Sequence, residues 1–67
     1  MGELISHLKA LRSEAGLTQA QLAEAVGVSR KTINTVENGV FVPSTLLALK
    51  LAQALDKNIH EIFELKG

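Results

Sequence analysis

The sequence predicts an all-α fold, a compact five-helix domain, and three observations carry that expectation. Helix formers dominate: the apolar fraction is 46%, mostly Leu, Ala, Val and Ile, and there is one proline. Sixty-seven residues without a repeat or a low-complexity linker make one small domain, 1–67. Glycines and capping residues cut that length into five pieces of helical period.

The first helix is expected from about Glu3 to Glu14. Leu4, Leu8, Leu11 and Ala15 follow the i, i+4, i+7 pattern, with Ile5 beside them, and Gly16 suits a left-handed cap. The second begins at Thr18. "TQAQ" is a capping box in which the Thr18 hydroxyl accepts from the Gln21 amide while the Gln21 side chain reaches back. Leu22, Ala23 and Val26 give its inward face, and Gly27 ends it. The third has Ser29 as N-cap and Gly39 as its stop. The fourth follows Pro43 with Ser44 as N-cap, and Leu46, Leu47, Leu49, Leu51, Ala52 and Leu55 give it a broad apolar surface. The fifth is short: Asn58 and Glu61 form a second capping-box signal before Ile62 and Phe63. Over Glu64–Gly67 periodicity does not separate an irregular end from a short edge segment.

Several classes are excluded or disfavoured. No apolar run approaches the roughly 20 residues of a spanning helix, and none has the form of a secretory signal. The chain lacks cysteine, which rules out disulfides and fits a reducing cytoplasm. His7 and His60 are isolated and read as surface residues, so neither a metal nor another cofactor is expected. There is no nucleophile–base constellation and no phosphate-cradling glycine loop, so no enzyme is expected.

The stretch "GVSRKTINTVENG", Gly27 to Gly39, is the informative one. On a helical wheel Ile33 and Val36 lie about 60° apart, while Lys31, Asn34, Thr35 and Asn38 cluster opposite and Arg30 sits at the edge. Such a helix is anchored along a narrow stripe and presents its other side. Arg and Lys can donate to guanine, Asn can pair with adenine, and Thr can bond a base edge or touch a thymine methyl. A preceding helix and a tight turn at Gly27 describe a helix-turn-helix. An ordinary solvated face gives the same wheel, and the wheel alone does not separate the two.

A longer window does. "GLTQAQLAEAVGVSRKTINTVENG", Gly16 to Gly39, resembles the helix-turn-helix of the phage Cro and repressor type, the xenobiotic-response-element-like regulators. Leu17, Thr18, Gln19, Leu22, Ala23, Gly27, Val28, Ser29, Thr32, Ile33, Glu37 and Gly39 carry the match. "LKALRSEAG", "PSTLLALKLAQAL" and "IHEIFEL" extend it over nearly the whole chain.

The resemblance implies a lambda-repressor-like DNA-binding domain whose second and third helices form the motif. It implies that Arg30, Lys31 and Thr35 point at base edges with Thr32 and Asn34 alongside, Thr32 sitting far enough to one side to meet a phosphate. Gln19 would touch a phosphate and brace the neighbouring reading residue. With Thr18, Ser29 and Asn38 these make the expected DNA-binding set. Arg12 and Glu37 would form a semi-buried ion pair of structural rather than DNA-contacting role. The resemblance also implies a homodimer on a palindromic operator, paired through a C-terminal segment, 59–67, in which Ile59, Ile62, Phe63 and Leu65 are more apolar than one short helix needs. Ile59 and Ile62 could equally close the monomer core. No small-molecule domain is expected.

Two features depart from that pattern. The loop after Asn38-Gly39 reads "VFV", Val40 to Val42, where many such regulators carry cations. Formal net charge is zero, so attraction to phosphate rests on distribution. Arg30 and Lys31 stand together with no acid until Glu37, whereas Asp56, Glu61 and Glu64 gather near the C-terminus. The function expected is a sequence-specific regulator of transcription, acting as a repressor by occupying its operator. The alternative is a protein-interaction adaptor or antitoxin of the same fold, with "VFV" and "IFEL" as its contact surfaces.

Overall fold

The computed structural model describes residues 3–66. In order the elements are β1 (Glu3–Ser6), α1 (Leu8–Glu14), α2 (Gln19–Val26), α3 (Arg30–Glu37), α4 (Thr45–Leu55), α5 (Ile59–Ile62) and β2 (Phe63–Lys66). The five expected helices are present, but the domain is not all-α. The two ends of the chain pair as an antiparallel sheet with Glu3 opposite Lys66, Leu4 opposite Leu65, Ile5 opposite Glu64 and Ser6 opposite Phe63. The His7 N–H continues the ladder to the Ile62 carbonyl at 2.7 Å. Helix α1 therefore begins at Leu8, not near Glu3. Leu4 belongs to the helical period by number, yet it reaches the core from a strand.

Every helix sends a fully buried side chain to one core: Leu8 from α1, Leu22 from α2, Ile33 and Val36 from α3, Leu51 from α4 and Ile62 from α5. Phe63 of β2 closes it from the sheet side, 7% exposed.

The caps decide the boundaries. Thr18 Oγ1 accepts from Gln21 N–H at 3.0 Å while Gln21 Oε1 accepts from Thr18 N–H at 2.9 Å. Ser44 Oγ accepts from Leu47 N–H at 3.1 Å and opens α4. Asn58 accepts from His60 N–H and Glu61 accepts from Asn58 N–H, which opens α5. Four helices end alike, with a six-to-one bond from Leu17 to Arg12, Val28 to Ala23, Val40 to Thr35 and Lys57 to Ala52. The residue before each donor must turn left-handed. Gly27, φ 76°, does so between α2 and α3 without a Cβ penalty. After α4 the same turn falls on Asp56, φ 53°, the one described non-glycine residue with positive φ. Among the described residues no helix is long and apolar enough to cross a membrane.

Candidate nucleic-acid interface

The sequence of α3 divides it into a buried stripe and an open face. Ile33 and Val36 are 0% exposed, anchoring one side in the core. Arg30, Lys31, Asn34 and Asn38 are exposed, and Thr32 and Thr35 are half-buried at the flanks. Neither Arg30 nor Lys31 has a salt-bridge partner among the described residues. Two cations and two carboxamides are thereby offered outward from a helix of two turns.

The helix start is fixed by Ser29. Its Oγ accepts from Thr32 N–H at 3.2 Å and shares a hydrogen bond with the Thr32 hydroxyl at 2.9 Å. Thr35 Oγ1 donates back to the Thr32 carbonyl at 2.9 Å, so its hydroxyl proton is used within the helix. What Thr35 offers outward is its methyl group and an acceptor lone pair. Asn38 Nδ2 donates to Asn34 Oδ1 at 3.3 Å, four residues apart on one face.

The other end of α3 is clamped by charge. Arg12 grips Glu37 with two guanidinium nitrogens, Nε to Oε2 at 2.5 Å and NH2 to Oε1 at 3.3 Å. The third nitrogen, NH1, donates to the Leu17 carbonyl at 2.8 Å. The Glu37 side chain is 1% exposed and that of Arg12 13%. A carboxylate this deep needs every donor it can reach. Gln19 supplies one more, Nε2 to Glu37 Oε1 at 3.0 Å. The expected Arg12–Glu37 pair is thus present in the geometry. Gln19 braces the end of α3 through that pair rather than a neighbouring reading residue, and keeps one amide hydrogen for an outside acceptor. Nothing in the sequence beyond the residue types signals the Gln19–Glu37 bond.

The segment expected to pair subunits lies partly inside the monomer. Ile62 is 0% and Phe63 7% exposed, both inside the monomer core because α5 and β2 must cover Leu8 and Leu51. Ile59 is half-buried against the core, and Leu65, 79% exposed, is left at the surface. His7 is a surface residue, as expected, but has a partner: its Nε2 lies 2.6 Å from Glu64 Oε1, linking the start of α1 to β2. The loop Val40–Val42 is exposed throughout. No group of three or more His, Cys, Asp or Glu among the described residues could hold a metal ion.

A helix-turn-helix family model matches residues 8–62. The chain is 42% identical over 59 residues to the HTH-type transcriptional regulator YgzD of Bacillus subtilis, covering 88% of this chain and 89% of that one. It is 51% identical over 53 residues to an HTH-type transcriptional regulator of Methanothermobacter thermautotrophicus, covering 78% and 77%. Among solved structures, the restriction-modification controller protein C.AhdI from Aeromonas hydrophila superposes with a TM-score of 0.76 at 41% identity, over 81% of this chain and 82% of that one.

Proposed function

The chain belongs to the helix-turn-helix family of DNA-binding transcriptional regulators, and from that premise we propose that it represses transcription as a homodimer on a palindromic operator in the cytoplasm. Helix α3 enters the major groove with its open face toward the bases. Arg30, Lys31, Asn34 and Thr35 read base edges, Thr32 and Asn38 flank them, and Ser29 holds the start of α3. Gln19 and the free amides at the start of α2, behind Thr18, receive a backbone phosphate. The observation that carries this reading is the division of α3: Ile33 and Val36 fully buried, Arg30 and Lys31 exposed without a salt-bridge partner among the described residues. One such helix spans only a few base pairs, so two copies are set one DNA turn apart, about 34 Å, by the segment 59–67. Bound there, the dimer blocks polymerase.

Selection of binding sites from random duplexes tests the reading. A palindromic consensus is expected, and Lys31→Ala is expected to weaken the selected site more than random DNA. Equal losses on both would make Lys31 a phosphate contact only.

A second reading has an observation of its own. Val40, Phe41, Val42, Leu46 and Leu49 are exposed in a short run of sequence, and Phe41 and Leu46 line an open apolar depression of about 280 Å³. A protein-interaction adaptor or antitoxin would use that surface. Such a protein would bind DNA weakly and yield no consensus in the same selection.

A further inference from the structure

The hydrogen bond made by Thr35 limits what its side chain can offer to DNA. Its Oγ1 lies 2.9 Å from the Thr32 carbonyl, and a carbonyl only accepts, so the hydroxyl donates. A threonine in a helix has two side-chain rotamers open to it, and this bond to the preceding turn selects between them. The backbone at Thr35 is held as well. Its carbonyl accepts from the Val40 and Phe41 amides at 3.0 and 3.2 Å, and its neighbour Val36 is 0% exposed. With its proton engaged, Thr35 has no donor left for guanine N7 or O6, adenine N7 or thymine O4.

The open face around it is otherwise polar. Arg30, Lys31, Asn34 and Asn38 are exposed, and all end in nitrogen or oxygen. Thr35 is half-buried among them, and its γ-methyl is the one carbon terminus in these five side chains. Lys31 precedes it by one helical turn, which sets the methylene stem of Lys31 on the same side as that methyl. In the major groove the matching feature is the C5-methyl group of thymine. Resting on the DNA-binding reading of α3, we propose that Thr35 reads the C5-methyl group of a pyrimidine, so that thymine and 5-methylcytosine are favoured at its base pair over uracil and cytosine.

The competing use of Thr35 is its remaining acceptor lone pair, which would take a hydrogen bond from adenine N6 or cytosine N4. That lone pair sits on the oxygen drawn toward the preceding turn, whereas the methyl occupies another branch of Cβ. The methyl contact has a consequence that the lone-pair contact lacks. Methylation of cytosine at C5 leaves its hydrogen-bonding groups in place and adds a methyl where thymine has one. A site with cytosine at this position is therefore bound more tightly once methylated, and the chain responds to a covalent mark on DNA. Covering one methyl group raises affinity about fourfold for each Thr35 engaged.

Base analogues test this without altering the protein. Each thymine of the site selected from random duplexes is replaced in turn by deoxyuridine, which keeps every hydrogen-bonding group and lacks only the methyl. In fluorescence anisotropy the wild-type chain is expected to lose about fourfold in affinity at the position that Thr35 reads. Cytosine and 5-methylcytosine placed there are expected to differ by about the same factor, in favour of the methylated base. Two variants assign the effect. Thr35→Ser keeps the hydroxyl and removes the methyl, and is expected to bind the thymine and uracil duplexes equally. Thr35→Val keeps a methyl and removes the hydroxyl, and is expected to retain the discrimination. A wild-type chain indifferent to uracil at every thymine overturns the inference and leaves the DNA-binding reading standing. Discrimination that persists in Thr35→Ser, or disappears in Thr35→Val, overturns it as well. A selection that yields no site overturns the DNA-binding reading itself, and this inference with it.

Discussion

At the scale of single residues, Glu37 carries the largest stake. Its carboxylate is out of water and is satisfied by Arg12 and Gln19. Removing one partner of a buried pair costs on the order of 3–5 kcal/mol, because the other charge is left uncompensated. Arg12→Ala is therefore expected to lower the urea midpoint sharply, a large share of the stability of so small a domain. Replacing both, Arg12→Met with Glu37→Leu, is expected to recover most of that loss, since the pair itself contributes little beyond its mutual compensation. Equal destabilisation by the single and the double variant would contradict this. The pair at 12 and 37 is legible in the sequence through the family resemblance, which implies it from the residue types at those positions. The third member was not legible. Gln19 reaches Glu37 only because α2 starts beside the end of α3, a juxtaposition made by tertiary packing rather than by local pattern.

At the scale of elements, the caps were readable and the strands were not. Ser29, Thr18, Ser44 and Asn58 are capping residues by side-chain chemistry alone, and each bonds as its type dictates. Ser29→Ala is expected to cost about 1 kcal/mol in chemical unfolding, the usual worth of such a cap. Asp56 is the counterpart that a search for glycine passes over. It turns left-handed at φ 53°, where a Cβ is strained. Asp56→Gly is accordingly expected to stabilise the domain by about 0.5–1 kcal/mol, and a loss of stability would contradict that strain. The strands escaped because each is four residues long and pairs across nearly the whole chain, Leu4 with Leu65. Leu4 faces the core either as strand or as helix, so its place in the helical period does not separate the two. Ile62 and Phe63 were too short a run to show which apolar residues close the core and which stay outside; burial answers that, and Leu65 alone among the four is more than half exposed.

At the scale of the whole molecule, zero net charge and a selective interface are compatible because the open face of α3 carries cations only, its one carboxylate, Glu37, being buried against Arg12. Arg30 and Lys31 lie on α3, while Asp56, Glu61 and Glu64 lie at the end of α4, on α5 and on β2. The loop that follows α3 adds no cation, since Val40, Phe41 and Val42 occupy it. With Arg30 and Lys31 of each copy as the available cations, and exposed Lys9 where it reaches the backbone, the proposed dimer would neutralise roughly four to six phosphates, and log K against log salt should fall with a slope near about −4 to −5. A slope steeper than about −8 would mean a contact surface well beyond α3. The central claim is that the open face of α3 lies against base edges. Nuclear magnetic resonance titration of the labelled chain with its selected duplex tests it most directly. The expected result is that side-chain signals of Arg30, Lys31, Asn34 and Asn38 shift most and show contacts to base protons, with the methyls of Ile33 and Val36 little changed. Shifts centred on Val40–Leu49 or on β2, with α3 unmoved, would contradict the account.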